Sequence, residues 1–176
     1  CPYLFIGSGL SRRYLNLPTW LTLLEQFSQG LNLSKQFEYY QSIANGNLPL
    51  LASIMAKEFH EIWWSDDKFK QNRIQYKQIA SSNVNSPFKI ELSNFINSSP
   101  VLNAEFSEEI ELLKNSIIDG IITTNWDNFL NESFQDFKPY FGQDELMFSN
   151  SFSVGELFKI HGCCSNPNSI IVSEED

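Results

Sequence analysis

Four short apolar runs along the chain break abruptly into glycine or polar residues. They are Tyr3–Ile6 before "GSGLS", the run in "IIDGIITTNWD", "ELFKIHG", and "SIIVS". Their length and sharp ends predict strands, and the first reads as a strand buried on both faces. After Pro18 the period changes. Trp20, Leu23, Leu24 and Phe27 fall on one helical face, with Thr19 as N-cap and Gly30 as stop. From about 35 to 115 helical patterns dominate, in "QFEYYQSIAN", "LPLLASIMAKEFHEIWW", "DDKFKQNRIQYKQIA", "SPFKIELSNFIN" and "AEFSEEIELLKN", separated by Asn, Gly, Ser and Pro. Strands alternating with helices predict an α/β fold with a parallel sheet, residues 35–115 forming a large helical insertion and 116–176 the second half of the core sheet. In such sheets ligands bind beyond the carboxyl ends of the strands.

Composition narrows the partners. A net charge of -9 leaves no basic surface for phosphates along DNA or RNA, so nucleic acid is not expected. The longest nearly apolar run, "LPLLASIMA", is about half the length that spans a bilayer. No membrane association is expected. Cys1, Cys163 and Cys164 form neither a disulfide framework nor a pair of metal knuckles, which points to a reducing cytoplasmic setting. The chain opens without Met on a strand-like run and stops just after another, so it reads as an excerpt of a longer polypeptide, with the C-terminal part of the domain missing.

Three strand ends are directed at one edge: Gly7-Ser8-Gly9, Thr124-Asn125-Trp126-Asp127 and His161-Gly162. Each has a structural reading beside a chemical one. The glycines serve a tight turn, or they let backbone N–H groups approach an anion at a helix N-terminus. Arg12 and Arg13 pair with a pyrophosphate or project from a solvated turn. Asn125 and Asp127 are a helix cap and first-turn acid, or polar groups of a site. His161 is a half-buried structural histidine or a general base. His60 and the Trp63-Trp64 pair read as structural, and "FSEEIE" as a solvated helix face.

Taken in order, "GSGLS", "TTNWD" and "KIHG" resemble the sirtuin family, which carries Gly-Ala-Gly-Ile-Ser, Thr-Gln-Asn-Ile-Asp and His-Gly around an NAD pocket on a Rossmann-like sheet. Here Ser8 and Leu10 stand in the first motif for Ala and Ile, and Thr124 and Trp126 in the second for Gln and Ile. "ITTN" followed by an aromatic residue and Asp, together with "SIIVSEED" after the His-Gly, is similar to the bacterial branch found in antiphage defence proteins. Two departures separate the chain from sirtuin deacylases. Only Cys163 and Cys164 follow the His-Gly, so no zinc is expected, and "LNLPTWL" puts Trp20 where an arginine of the deacylase segment would fall.

The resemblance implies NAD as substrate, with Gly7, Ser8, Gly9, Leu10, Ser11, Arg12, Thr124, Asn125 and Asp127 as its contacts. It further implies Asn125, Asp127 and His161 as the catalytic group of an NAD glycohydrolase. The implied partners are a homo-oligomer or other domains of the same polypeptide, with a phage-derived activator. A sensor that binds NAD or ADP-ribose without cleaving it, a deacylase, and a plain helical interaction module are the alternatives.

Overall fold

The computed structural model describes residues 2–98, 107–142 and 155–176. Strands β1 (Tyr3–Ile6), β2 (Gly120–Thr123), β3 (Phe137–Phe141) and β4 (Gly155–Lys159) form one parallel sheet in the order β1-β2-β4-β3. The fold is α/β and Rossmann-like, as the alternation of patterns predicts.

By contact the chain divides into two units, Cys1–Leu17 with Ile96–Ile170, and Pro18–Phe95 with Ile171–Asp176. The first holds the sheet. On one face, Ile6, Ile121 and Leu157 pack with Tyr14 and Leu15 of α1 (Ser8–Leu15), Ile110 of α8 (Ser107–Lys114), and Phe129 and Leu130 of α9 (Phe129–Ser133). Alternation turns the intervening side chains to the other face. There Tyr3 and Tyr140 each stack on Phe158, with ring centroids 6.2 and 5.3 Å apart. Gly120 carries no Cβ, and the Tyr3 ring lies over that gap, so its hydroxyl crosses β2 and donates to Glu156 on β4 at 2.8 Å.

Two expectations are corrected here. β1 is an edge strand whose Phe5 is 70% exposed, not a strand buried on both faces. Apolar content alone does not distinguish an edge from a centre. "SIIVS" is not a strand either, because the Val172 and Ser173 N–H groups donate to the Asp176 carboxylate, both at 2.9 Å, rather than to a neighbouring ladder. The fourth strand is β3, which Lys138 and Pro139 disguise in the sequence. Pro cannot donate to a ladder, and β3 is the opposite edge.

The second unit is helical. It contains α2 (Trp20–Ser28), α3 (Phe37–Ala44), α4 (Leu48–Ser65), α5 (Lys70–Gln75), α6 (Lys77–Ala80) and most of α7 (Ser86–Ser98). Thr19 caps α2 as expected, accepting from Thr22 N at 3.4 Å, and Asn47 caps α4 through Leu50 N at 3.1 Å. Phe27 and Phe59 both meet Phe88, and Trp63 is fully buried with its indole N–H donating to Glu91 at 2.7 Å. Trp64 is exposed. His60 is half-buried against the Val84 carbonyl, 3.1 Å away.

The acidic segment Ser173–Asp176 is tied into this unit. Ser53 donates to Glu175 at 2.6 Å, Lys57 pairs with Glu175 at 3.1 Å, and buried Lys89 pairs with Asp176. The hydrogen bond from Ser53 and then that from Lys57 lower the Glu175 pKa to about 2. For Asp176, burial pushes upward, but Lys89 and the two backbone N–H groups outweigh it and leave the pKa low. Carboxyls with depressed folded pKa values contribute stability above their unfolded values, about 4, and lose it as pH falls through the folded ones. The denaturant midpoint is therefore expected to drop steadily from about pH 5 to about pH 2. A midpoint that stays level across that window would contradict these contacts.

Candidate functional site

The carboxyl end of β1 runs into Gly7, which adopts extended backbone as the N-cap of α1 and supplies no side-chain cap. No acidic residue lies in the first turn, and a Cβ at Gly7 or Gly9 would meet nothing within 4 Å. The first N–H groups of a helix lack intrahelical partners, so this turn offers open donors to an anion such as a diphosphate. Ser8 and Gly9 are exposed on it, and Leu10 turns half-buried toward the core. Arg12 is exposed one turn on, while Arg13 forms an ion pair with Glu109 at 2.6 Å. That pair occupies part of the helix face expected to be only solvated; Phe106 of the same stretch lies outside the described residues.

Ser11, on the buried side of α1, joins two strand ends. Its hydroxyl donates to Asp127 Oδ2 at 2.6 Å and accepts from Asn125 Nδ2 at 2.8 Å. Asn125 Nδ2 also donates to the Gly7 carbonyl at 3.0 Å, and Asp127 Oδ1 accepts from Phe129 N at 3.0 Å. Thr123 Oγ1 accepts from Asn125 N at 3.1 Å, which fixes the chain as it leaves β2, and Thr124 is half-buried between them. Asn125 and Asp127 are both buried. Their other bonds leave Asn125 Oδ1 as the acceptor of its carboxamide.

His161 is brought to the same edge by strand register. Thr123 pairs with Lys159, Ile160 N donates to the Thr123 carbonyl at 3.0 Å, and His161 and Asn125 each lie two residues past the paired positions. His161 is half-buried, and burial lowers its pKa below the usual imidazole value. Its ring is therefore neutral at pH 7 and able to accept a proton. Gly162 follows at φ +82, and Gly162 N donates to the Lys159 carbonyl at 2.9 Å.

Lys159 is the site residue that sequence reading passes over. It is 1% exposed, and its ammonium donates to the Asp127 carbonyl and, at 3.3 Å, to Asn131 Oδ1. It thereby fastens the loop after β2 to β4. The alternation of "ELFKIHG" carries a hint, since Leu157 and Lys159 share a face and that face is the core. Behind the loop lies a cavity of about 420 Å³, lined by Asp127, Asn128, Phe129 and Cys164 among others. Asn125 and His161 do not line it. Among the described residues no cluster of three His, Cys, Asp or Glu side chains can hold a metal ion, and no helix is long and apolar enough to cross a membrane.

No curated protein matches the chain. Residues 119–176, which carry Asn125, Asp127 and His161 but not the Gly7–Ser11 turn, match the family model of the SIR2-like domain; the match supports a sirtuin-like family and an NAD-related role.

Proposed function

We propose that the cluster at the strand ends hydrolyses NAD, breaking the bond between nicotinamide and ribose to give nicotinamide and ADP-ribose. One observation carries the reading. Ser11 ties Asn125 and Asp127 to the turn after β1, so the polar groups of two strand ends are held as one preorganised unit.

Such cleavage passes through an oxocarbenium-like sugar, so the protein must bind the diphosphate, stabilise positive charge and direct water. The open N–H groups after Gly7, with Ser8 and Gly9, take the phosphates; Leu10, Arg12 and Thr124 border the same nucleotide. Asn125 Oδ1 accepts from the attacking water or a ribose hydroxyl. The buried Asp127 carboxylate faces the nicotinamide side, where its charge favours the developing cation. Neutral His161 takes the proton from the ribose hydroxyl or water. Water's oxygen bonds to the anomeric carbon as the glycosidic electron pair leaves with nicotinamide. By the same reading the chain is the effector part of a bacterial antiphage defence protein. Its cytoplasmic activity is released when a phage component or oligomerisation assembles the pocket, the partners being further copies of the chain or other domains of the same polypeptide.

In the full-length protein, Asn125→Ala and His161→Ala are each expected to lower nicotinamide release by about 10²-fold or more, a magnitude usual for a lost acid–base or electrostatic group. Chromatographic assay of nicotinamide checks this, with circular dichroism to show that the variants fold. Turnover equal to the parent's in either variant removes that residue from the mechanism.

A second reading, an NAD or ADP-ribose sensor without chemistry, has its own support. Both hydrogens of the Asn125 carboxamide and both oxygens of Asp127 already have internal partners. Calorimetric binding of NAD with no nicotinamide formed would favour it.

A further inference from the structure

Lys159 follows Leu157 onto the covered face of the sheet, where it is 1% exposed. Both acceptors of its ammonium, the Asp127 carbonyl and Asn131 Oδ1, are neutral. A buried cation loses its hydration, and neutral acceptors offset only part of that loss. A methionine of similar length would fill the same space without it, so packing alone gives no reason for a charge here. Grip on the loop does give one. A hydrogen bond from a charged donor is about twice as strong as one between neutral groups, and this one ends on the main chain of a residue that the proposed hydrolysis uses.

Two consecutive peptide groups of the loop are held from the β4 side. The Trp126 carbonyl accepts from Cys164 N at 2.7 Å, and the Asp127 carbonyl accepts from Lys159. A planar peptide turns as one block, so these bonds set the direction in which the Asp127 side chain leaves the backbone. Its carboxylate then receives Ser11 on Oδ2 at 2.6 Å and Phe129 N on Oδ1 at 3.0 Å. Three elements thus locate Asp127: α1 through Ser11, α9 through Phe129 and β4 through Lys159. The Gly7 turn is tied to the cluster by another route, the 3.0 Å bond from Asn125 Nδ2 to the Gly7 carbonyl.

We propose that Lys159 is a positioning residue for the hydrolysis, acting through Asp127 by holding that carboxylate where positive charge develops on the ribose. The inference rests on the NAD reading and adds to it a residue that touches neither substrate nor reacting atoms. Misplacing a reacting group by about 1 Å costs up to about 10²-fold in rate. Lys159→Met is therefore expected to lower kcat for nicotinamide release by about 10- to 100-fold. KM for NAD should stay within about threefold of the parent's, because the turn that takes the phosphates is not held by Lys159.

A double-mutant cycle in the full-length protein tests it, with kcat and KM measured well below the denaturation midpoint of each variant. In the Asp127→Asn background there is no carboxylate left to position, so Lys159→Met should change kcat there by less than about threefold. Where Lys159→Met does not fold, Lys159→Gln, which keeps a neutral donor, completes the same cycle. An equal loss of kcat in both backgrounds would overturn the proposal, as would a raised KM with kcat kept, or a lower denaturation midpoint with kcat unchanged. Each of these, in a parent that turns NAD over, leaves the hydrolysis standing. A parent that releases no nicotinamide overturns the hydrolysis itself, and this role of Lys159 with it.

Discussion

Gly162→Ala is expected to destabilise the protein by about 3–5 kcal/mol, the sum of a left-handed backbone penalty and an overpacking cost. The residue sits at φ +82, where a side chain is strained whatever the space available. Space is also lacking. A Cβ there would lie well inside van der Waals contact with the Ser169 carbonyl and close to Ile170 N, so the threat is to backbone rather than to a side chain that can rotate away. The segment it presses against is itself pinned, with Ser169 Oγ accepting from Cys163 N at 3.0 Å and donating to the Asn166 carbonyl at 2.7 Å. Chemical denaturation of the alanine variant provides the measurement. A stability within about 1 kcal/mol of the parent would show that the turn can relax, and that the glycine after His161 has a different purpose.

Asp176→Ala should produce a loss of similar size, about 3–5 kcal/mol, through a different mechanism. Lys89 is 4% exposed and would be left as a buried cation facing no counter-charge. The Val172 and Ser173 N–H groups would lose their shared acceptor at the same time. Removing both charges is the informative comparison. Lys89→Met with Asp176→Leu takes away the desolvation cost along with the attraction, so this double variant should recover most of the stability lost by Asp176→Ala. If Asp176→Ala unfolds at the same denaturant concentration as the parent, the pair is not a support of this unit.

What was legible in the sequence followed from interactions local to the chain. The "GSGLS", "TTNWD" and "KIHG" stretches each close a strand, because an apolar run that ends in glycine or polar residues has few other uses. Thr19 was legible as a cap because its acceptor is needed only three residues on. The stretch "DDKFKQNRIQYKQIA" carries a helical pattern, and the structure divides it into a 3-10 turn and two short helices. The β3 strand went unread because Lys138 and Pro139 interrupt its apolar pattern. Neither residue disrupts an edge strand in the way it would a central one.

The sequence by itself determined the kinds of group at the strand ends and their order along the chain, since propensity and periodicity act over a few residues. Only the tertiary structure decided which of them meet. Ser11 finds Asp127 at a separation of 116 positions, Lys159 turns inward beneath the same loop, and Phe5 is left exposed because its strand lies at the edge. Those outcomes depend on strand order and on which face of the sheet is covered. Both are properties of the closed chain, fixed when distant segments pack, and no local pattern encodes them.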